Sequence, residues 1–211
     1  MIFNKLYTTP LLAFLLTLCI LSCSRAGTSF TAEELALING ADSIMRVLTI
    51  ETPSDSIVLR TPSTDLTAED LLSEDFKRLA KLMIATVTHP SQDGVGIAGP
   101  QVGLNRRVVA VQRFDKEPVE LGGRIDHPFE VYPNIRIVWT SDSLAAGPEG
   151  CLSVPNRRGE VMRSEEIVIE YASTDCTNDS KMARDTIKGF TAVIFQHEID
   201  HLNGILYIDR L

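Results

Sequence analysis

The chain opens with an apolar run over residues 11–21, interrupted only by Thr17 and preceded by a leader whose sole charge is Lys5. A membrane-spanning helix needs about 20 apolar residues, so this shorter run reads as the hydrophobic region of a signal peptide over residues 1–22. Beyond it the pattern becomes that of a folded domain. Thr31 and Glu34 have the spacing of a capping box and predict a short helix that Asn39-Gly40 closes. Residues 39–65, rich in Thr, Ser, Pro and Asp, read as extended, so that 23–56 form an N-terminal arm ahead of a domain at 57–211. Leu72, Phe76, Leu79, Met83 and Val87 then recur at helical spacing and predict one helix over about 69–88, stopped by His89-Pro90. A glycine-rich loop at 94–103 follows. Runs rich in β-branched residues at 107–112, 129–140 and 167–171 predict strands, and helical spacing returns over 189–203. The expected class is α+β, with antiparallel sheets around a buried C-terminal helix.

Composition narrows the function. With 211 residues, 44% hydrophobic and 23% charged, the chain has the make-up of one ordinary globular domain. A net charge of −8 argues against nucleic acid as a partner, since phosphate binding requires a basic face. Four cysteines are too few to staple a chain this long. A monomer is expected.

The most specific signal is His197-Glu198-Ile199-Asp200-His201 on the last predicted helix, an HExxH pattern. Histidines four residues apart stand on one helical face and can grip one metal ion, with Glu198 beside it as general base and proton carrier. Two solvated histidines falling at this spacing by chance is the plain alternative. The apolar residues preceding them argue against it, because an apolar helix does not bury such groups without a purpose. A catalytic site of this type takes a third protein ligand. Too little chain follows His201 to supply one in the usual downstream places, so it comes from upstream. The candidates are His89, His127, Cys151 and Cys176, with Cys151 favoured by its setting between Gly150 and Pro155.

Three motifs in one order resemble those of the peptide deformylase family: Gly94-Val95-Gly96-Ile97-Ala98-Gly99-Pro100-Gln101-Val102-Gly103, Glu149-Gly150-Cys151-Leu152-Ser153 and Gln196-His197-Glu198-Ile199-Asp200-His201. The resemblance implies a hydrolase that removes the N-formyl group from formyl-methionyl peptides with a divalent metal, Fe2+ or Zn2+, with Ni2+ also used. It implies Cys151, His197 and His201 as metal ligands and Glu198 as the acid/base. Gln101 and the Leu152 backbone N–H would stabilise the oxyanion. Backbone around Val95, Gly96 and Gly150 would pair with an extended N-formylated peptide. Glu149 is expected to pair with a base and support the cysteine loop. Three departures stand out: Gly99 where alanine is usual, Pro133-Asn134 in reversed order, and Met162 in place of a proline. Gly99 would loosen the loop that carries Gln101.

Ser22-Cys23 after the apolar run resembles the lipobox of bacterial lipoproteins, implying an exported protein held at the membrane by a lipid on Cys23. Two further functions follow from that address. One is an envelope amidohydrolase acting on other N-acylated peptides. The other is a metal-binding lipoprotein without catalysis, against which Glu198 and Gln101 stand, since simple binding needs neither.

Overall fold

The computed structural model describes residues 27–121, 123–173 and 182–211. The predicted signal segment, Cys23 and Cys176 lie outside the described residues. Among those described, no helix is long and apolar enough to cross a membrane.

The N-terminal helix forms where predicted. α1 (Ala32–Gly40) begins at a capping box in which Thr31 accepts from the Glu34 N–H and Glu34 reaches back to the Thr31 N–H. The segment around it does not stand off as an arm. Ile38, Met45 and Leu48 are buried in the protein. Arg106, only 3% exposed, donates to both carboxylate oxygens of Glu34 and to the carbonyls of Thr28 and Ser29. Further on, the Leu48 N–H donates to the Gln101 carbonyl at 2.8 Å and the Ile50 N–H to the Ser153 carbonyl at 2.9 Å. These apolar contacts and buried backbone groups cannot be satisfied by an isolated extended chain, which is why composition misled here. α2 (Pro53–Leu59) follows, started by proline in its first turn.

The single helix expected over 69–88 is two, α3 (Ala68–Leu72) and α4 (Glu74–Val87). Ser73 divides them. Its backbone is extended, its hydroxyl donates to the Asp70 carbonyl at 2.6 Å, and the same oxygen accepts from the Phe76 N–H at 3.1 Å. A serine hydroxyl that caps both helices offers the backbone an alternative to continuing. The apolar stripe shifts in consequence: Leu71 is buried and Leu72 is exposed.

The glycine-rich loop folds as a short strand, β1 (Gly96–Ala98), and a 3-10 turn (Gly99–Val102). β1 pairs antiparallel with β2 (Val108–Gln112). A small hairpin, β3 (Val119–Leu121) and β4 (Arg124–Asp126), projects next. The strand expected over 129–140 is also two elements. β5 (Phe129–Pro133) joins β2, while β6 (Arg136–Thr140) belongs to another sheet. Asn134 makes the break with φ of 53°, a conformation asparagine tolerates, and its side-chain amide brackets the backbone N–H and C=O of Leu66 at 2.8 and 2.9 Å. The reversed Pro133-Asn134 order therefore has a structural use.

β7 (Leu144–Cys151) and β8 (Val154–Ser164) form a long hairpin, and β9 (Glu166–Ala172) pairs with both β6 and β10 (Met182–Lys188). All these pairings are antiparallel. Every residue of β2 is buried because the strand divides two cores. Val108 and Ala110 face α4 with Leu79 and Met83, whereas Val109 and Val111 face Ile167, Ile169 and Phe195. Phe195 belongs to α5 (Gly189–Leu202), the buried C-terminal helix.

Removing Arg106 leaves Glu34 and two carbonyls without their partner. Arg106→Ala is expected to destabilise the protein by about 3 kcal/mol, the scale for breaking a largely buried pair. Urea unfolding measures the loss, and hydrogen exchange over α1 locates it.

Candidate active site

Three elements meet at one cleft of about 910 Å³. The hairpin supplies Glu149, Gly150, Cys151 and Leu152; α5 supplies His197 and Glu198; and β1 with its following turn supplies Gly96 and Gln101. Val95 also lines it, so most residues singled out in the sequence converge here. His201 completes the group from one turn further along α5. Its Nε2 lies 3.2 Å from the Cys151 Sγ, and ligand atoms of Cys151, His197 and His201 all lie within 4.8 Å of one another. This choice could not be made from spacing. The pairing register shifts between Gly150 and Cys151, at the hairpin end that approaches α5. His89 is instead bonded to Ser91 just beyond α4, and His127 to the Lys116 carbonyl.

The surroundings suit a cation. His197 Nδ1 donates to Glu149 Oε2 at 2.8 Å, which leaves Nε2 for the Cys151 side of the site. Burial opposes a positive charge on His197, but the Cys151 sulfur and the Glu149 carboxylate outweigh it and push its pKa up to about 10. The position that holds a proton so firmly attracts a metal ion for the same reason. Burial, aided by His197, keeps His201 neutral, the form in which imidazole ligates. The donor set of one sulfur and two imidazoles therefore fits a divalent transition metal.

Glu149 does pair with a base, as expected. Arg163 donates to its two oxygens at 2.7 and 3.0 Å, and with His197 this overcomes burial to hold its carboxyl down to about 2. Arg163 also donates to Asp200 at 2.5 Å. Neither partner was singled out in the sequence. β8 carries three arginines, and Arg163 is the one that falls two residues after the inward-facing Val161, with Met162 outward between them; that alternation is the signal that could have found it, because a buried guanidinium requires a carboxylate.

Glu198 is buried with one oxygen unpartnered, and burial pushes its pKa up to about 7. That value suits a group that must both take and give a proton near neutrality. Gly96 makes the room: a Cβ there would lie 2.6 Å from Glu198 Oε1 and 2.9 Å from its Cγ. Gln101 is held by its Oε1, which accepts from the Ala98 N–H at 2.8 Å, so its NH2 is turned toward Cys151 Sγ at 3.6 Å and Ser153 Oγ at 3.3 Å. A Cβ at Gly150 would meet only ordinary contacts. At Gly99 a Cβ would lie 2.6 Å from the Arg106 carbonyl oxygen, so this glycine closes the turn rather than loosening it.

The family profile described as polypeptide deformylase matches residues 44–211. The chain belongs to the peptide deformylase family. The match starts ahead of the boundary expected at Ile57, in keeping with the packing of residues 44–56. A peptide deformylase of Leptospira biflexa is 34% identical over 169 residues, covering 80% of this chain and 88% of that one. A peptide deformylase 2 of Nostoc is 39% identical over 147 residues, 68% of this chain and 75% of its own. Among solved structures, the class I type b peptide deformylase of Acinetobacter baumannii bound to Met-Ala-Ser superposes with a TM-score of 0.66 at 32% identity, covering 80% of this chain and 98% of that chain. The Thermotoga maritima peptide deformylase gives a TM-score of 0.64 at 30% identity, covering 81% and 99%. The resemblance read from the motifs therefore extends across the peptide deformylase fold, with its antiparallel sheets and C-terminal helix.

The nearest atoms that a Cβ at Gly96 would push aside belong to Glu198 and Ile194, not to Cys151, His197 or His201. Hydrolysis by Gly96→Ala is expected to fall about 100-fold, the scale for a 1 Å displacement of a reacting group, while Gly150→Ala keeps most of its rate. Steady-state kinetics on both variants, with metal content measured alongside, separates the two positions.

Proposed function

We infer that this chain is a metal-dependent hydrolase that removes the N-formyl group from N-formylated peptides, releasing formate. The observation that carries this reading is the meeting of Cys151, His197 and His201 in one cleft with Glu198 and the tethered Gln101 amide. Cys151 at the end of β7 and His197 and His201 on α5 would hold the ion, and Fe2+, Zn2+ and Ni2+ all suit the donors. When bound, the ion supplies Lewis-acid polarisation and makes a nucleophile available at neutral pH.

The side chains account for the remaining steps. Glu198 takes a proton from the attacking water and returns it to the amine nitrogen as the C–N bond breaks, so formate and a free N-terminus leave. Negative charge gathers on the former formyl oxygen, and the Gln101 NH2 is already turned inward to meet it. A preorganised donor of this kind is worth about 3 kcal/mol in the transition state. The Leu152 N–H is assigned to the same oxygen. Backbone of Val95, Gly96 and Gly150, along the walls of the cleft, would pair with the substrate peptide in extended form.

Formate release from formyl-Met-Ala-Ser by protein loaded with Fe2+, Zn2+ or Ni2+ tests the reading, with acetyl-Met-Ala-Ser as the competing substrate. Glu198→Gln is expected to lower the rate by about 10²- to 10⁴-fold while keeping its metal. No formate with any of the three metals would overturn the deformylase reading, and preference for the acetyl peptide would favour the broader amidohydrolase.

The apolar run at 11–21 and Ser22-Cys23 support an exported, lipid-anchored form of the enzyme. Mass spectrometry of the membrane fraction is expected to find an acylated Cys23 as the first residue. An intact Met1 on cytosolic protein would sink that proposal.

A further inference from the structure

Asp200 lies between the two histidines of α5 and takes no part in the chemistry described above. Its side chain is 8% exposed, and both of its oxygens are occupied by one residue from beyond the helix. Arg210 donates from Nε to Oδ2 and from Nη2 to Oδ1, each at 2.5 Å. Oδ2 is shared with Arg163, whose Nη1 reaches it at 2.5 Å while Nε and Nη2 hold Glu149. Glu149 in turn accepts from His197 Nδ1. Two carboxylates and two guanidiniums thus form one continuous chain, Arg210–Asp200–Arg163–Glu149, ending on the imidazole.

Arg163 is the divided member. It has one fork and two buried carboxylates, and it can serve Glu149 with two N–H groups only because Arg210 meets most of the demand of Asp200. Without Arg210, a nearly buried carboxylate keeps a single N–H from Arg163, a costly condition that draws the guanidinium toward Asp200. Glu149 then loses the grip that orients it, and His197 loses its fixed tautomer and ring direction.

We propose that Arg210 is a positioning residue for His197, setting the hold of the site on its metal through Asp200, Arg163 and Glu149. The inference deepens the proposed function and rests on Cys151, His197 and His201 being the ligands. Arg210 itself forms its side-chain hydrogen bonds with Asp200 and not with any of the three, and its side chain is 41% exposed, so it is open to substitution.

The test follows the loss of Co2+ from loaded protein to excess chelator, read from the visible absorption of the cobalt site. Arg210→Ala is expected to speed the loss about tenfold, the lower end for an outer partner of a metal ligand. Glu149→Gln is expected to speed it as much or more. The double variant decides the route, because residues acting through one chain do not add. It should lose cobalt no faster than Glu149→Gln alone. A rate unmoved by Arg210→Ala, or a double variant showing the product of the two single effects, would overturn the proposal. If Arg210→Ala does not fold, Arg210→Lys keeps the charge and loses the fork. Faster loss in that variant, absent in the Glu149→Gln background, supports the same route, and an unchanged rate overturns it. Unaltered protein that takes up no stoichiometric cobalt would overturn the ligand assignment and this inference together. Normal uptake with an unmoved Arg210→Ala rate would overturn the role of Arg210 alone.

Discussion

Two carboxylates and a guanidinium, nearly withdrawn from water, hold the two halves of the site together. Glu149 sits on the β7–β8 hairpin and Asp200 on α5, and Arg163 spans them at 2.5–3.0 Å. Isolated charges in such a place are costly, and only a closed set of partners makes them tolerable. The same need for closure fixes where the hairpin lies against the helix. Cys151, two residues beyond Glu149, is thereby delivered to His201, and His197 receives its orienting acceptor. Geometry at the site is thus an outcome of charge satisfaction one layer further out.

The apolar framework supplies the rigidity on which that network depends. β2 is buried on both faces and separates the α4 core from the α5 core, so β1 beside it has little freedom. Gly96 on β1 can then lie against Glu198 with no side chain between them, and Gln101 is set by a turn whose backbone is tied to Leu48. The segment from Gly27 to Ile50 is part of this scaffold. Through Leu48 and Ile50 it reaches the carbonyls of Gln101 and Ser153, two residues whose side chains are hydrogen-bonded to each other beside the cleft.

Much of this was legible in the sequence wherever the signal was local. The capping box at Thr31, the end of α4 at His89-Pro90, the strand over 167–171 and the HExxH face of α5 all depend on residues within a few positions of one another. The errors have equally local causes. Ser73 and Asn134 each interrupt a pattern that hydrophobic spacing reads as continuous, Ser73 by capping two helices with one hydroxyl and Asn134 by adopting positive φ and holding Leu66. Polar composition around residues 39–56 concealed the few apolar side chains that dock it.

By itself the sequence determined which residue types can do the chemistry: two histidines on one helical face, a glutamate between them, a glutamine in a glycine-rich turn and a cysteine after glycine. Ligation and proton transfer depend on those functional groups, and helical periodicity alone brings the two histidines together. Only the tertiary structure brought Cys151, already favoured among four candidates, beside them, pushed the Glu198 pKa up to about 7, and set Arg163 and Arg210 behind His197. Those outcomes depend on burial and on contacts between residues as much as 50 positions apart. Desolvation and partner choice belong to the packed molecule, and no local pattern encodes them.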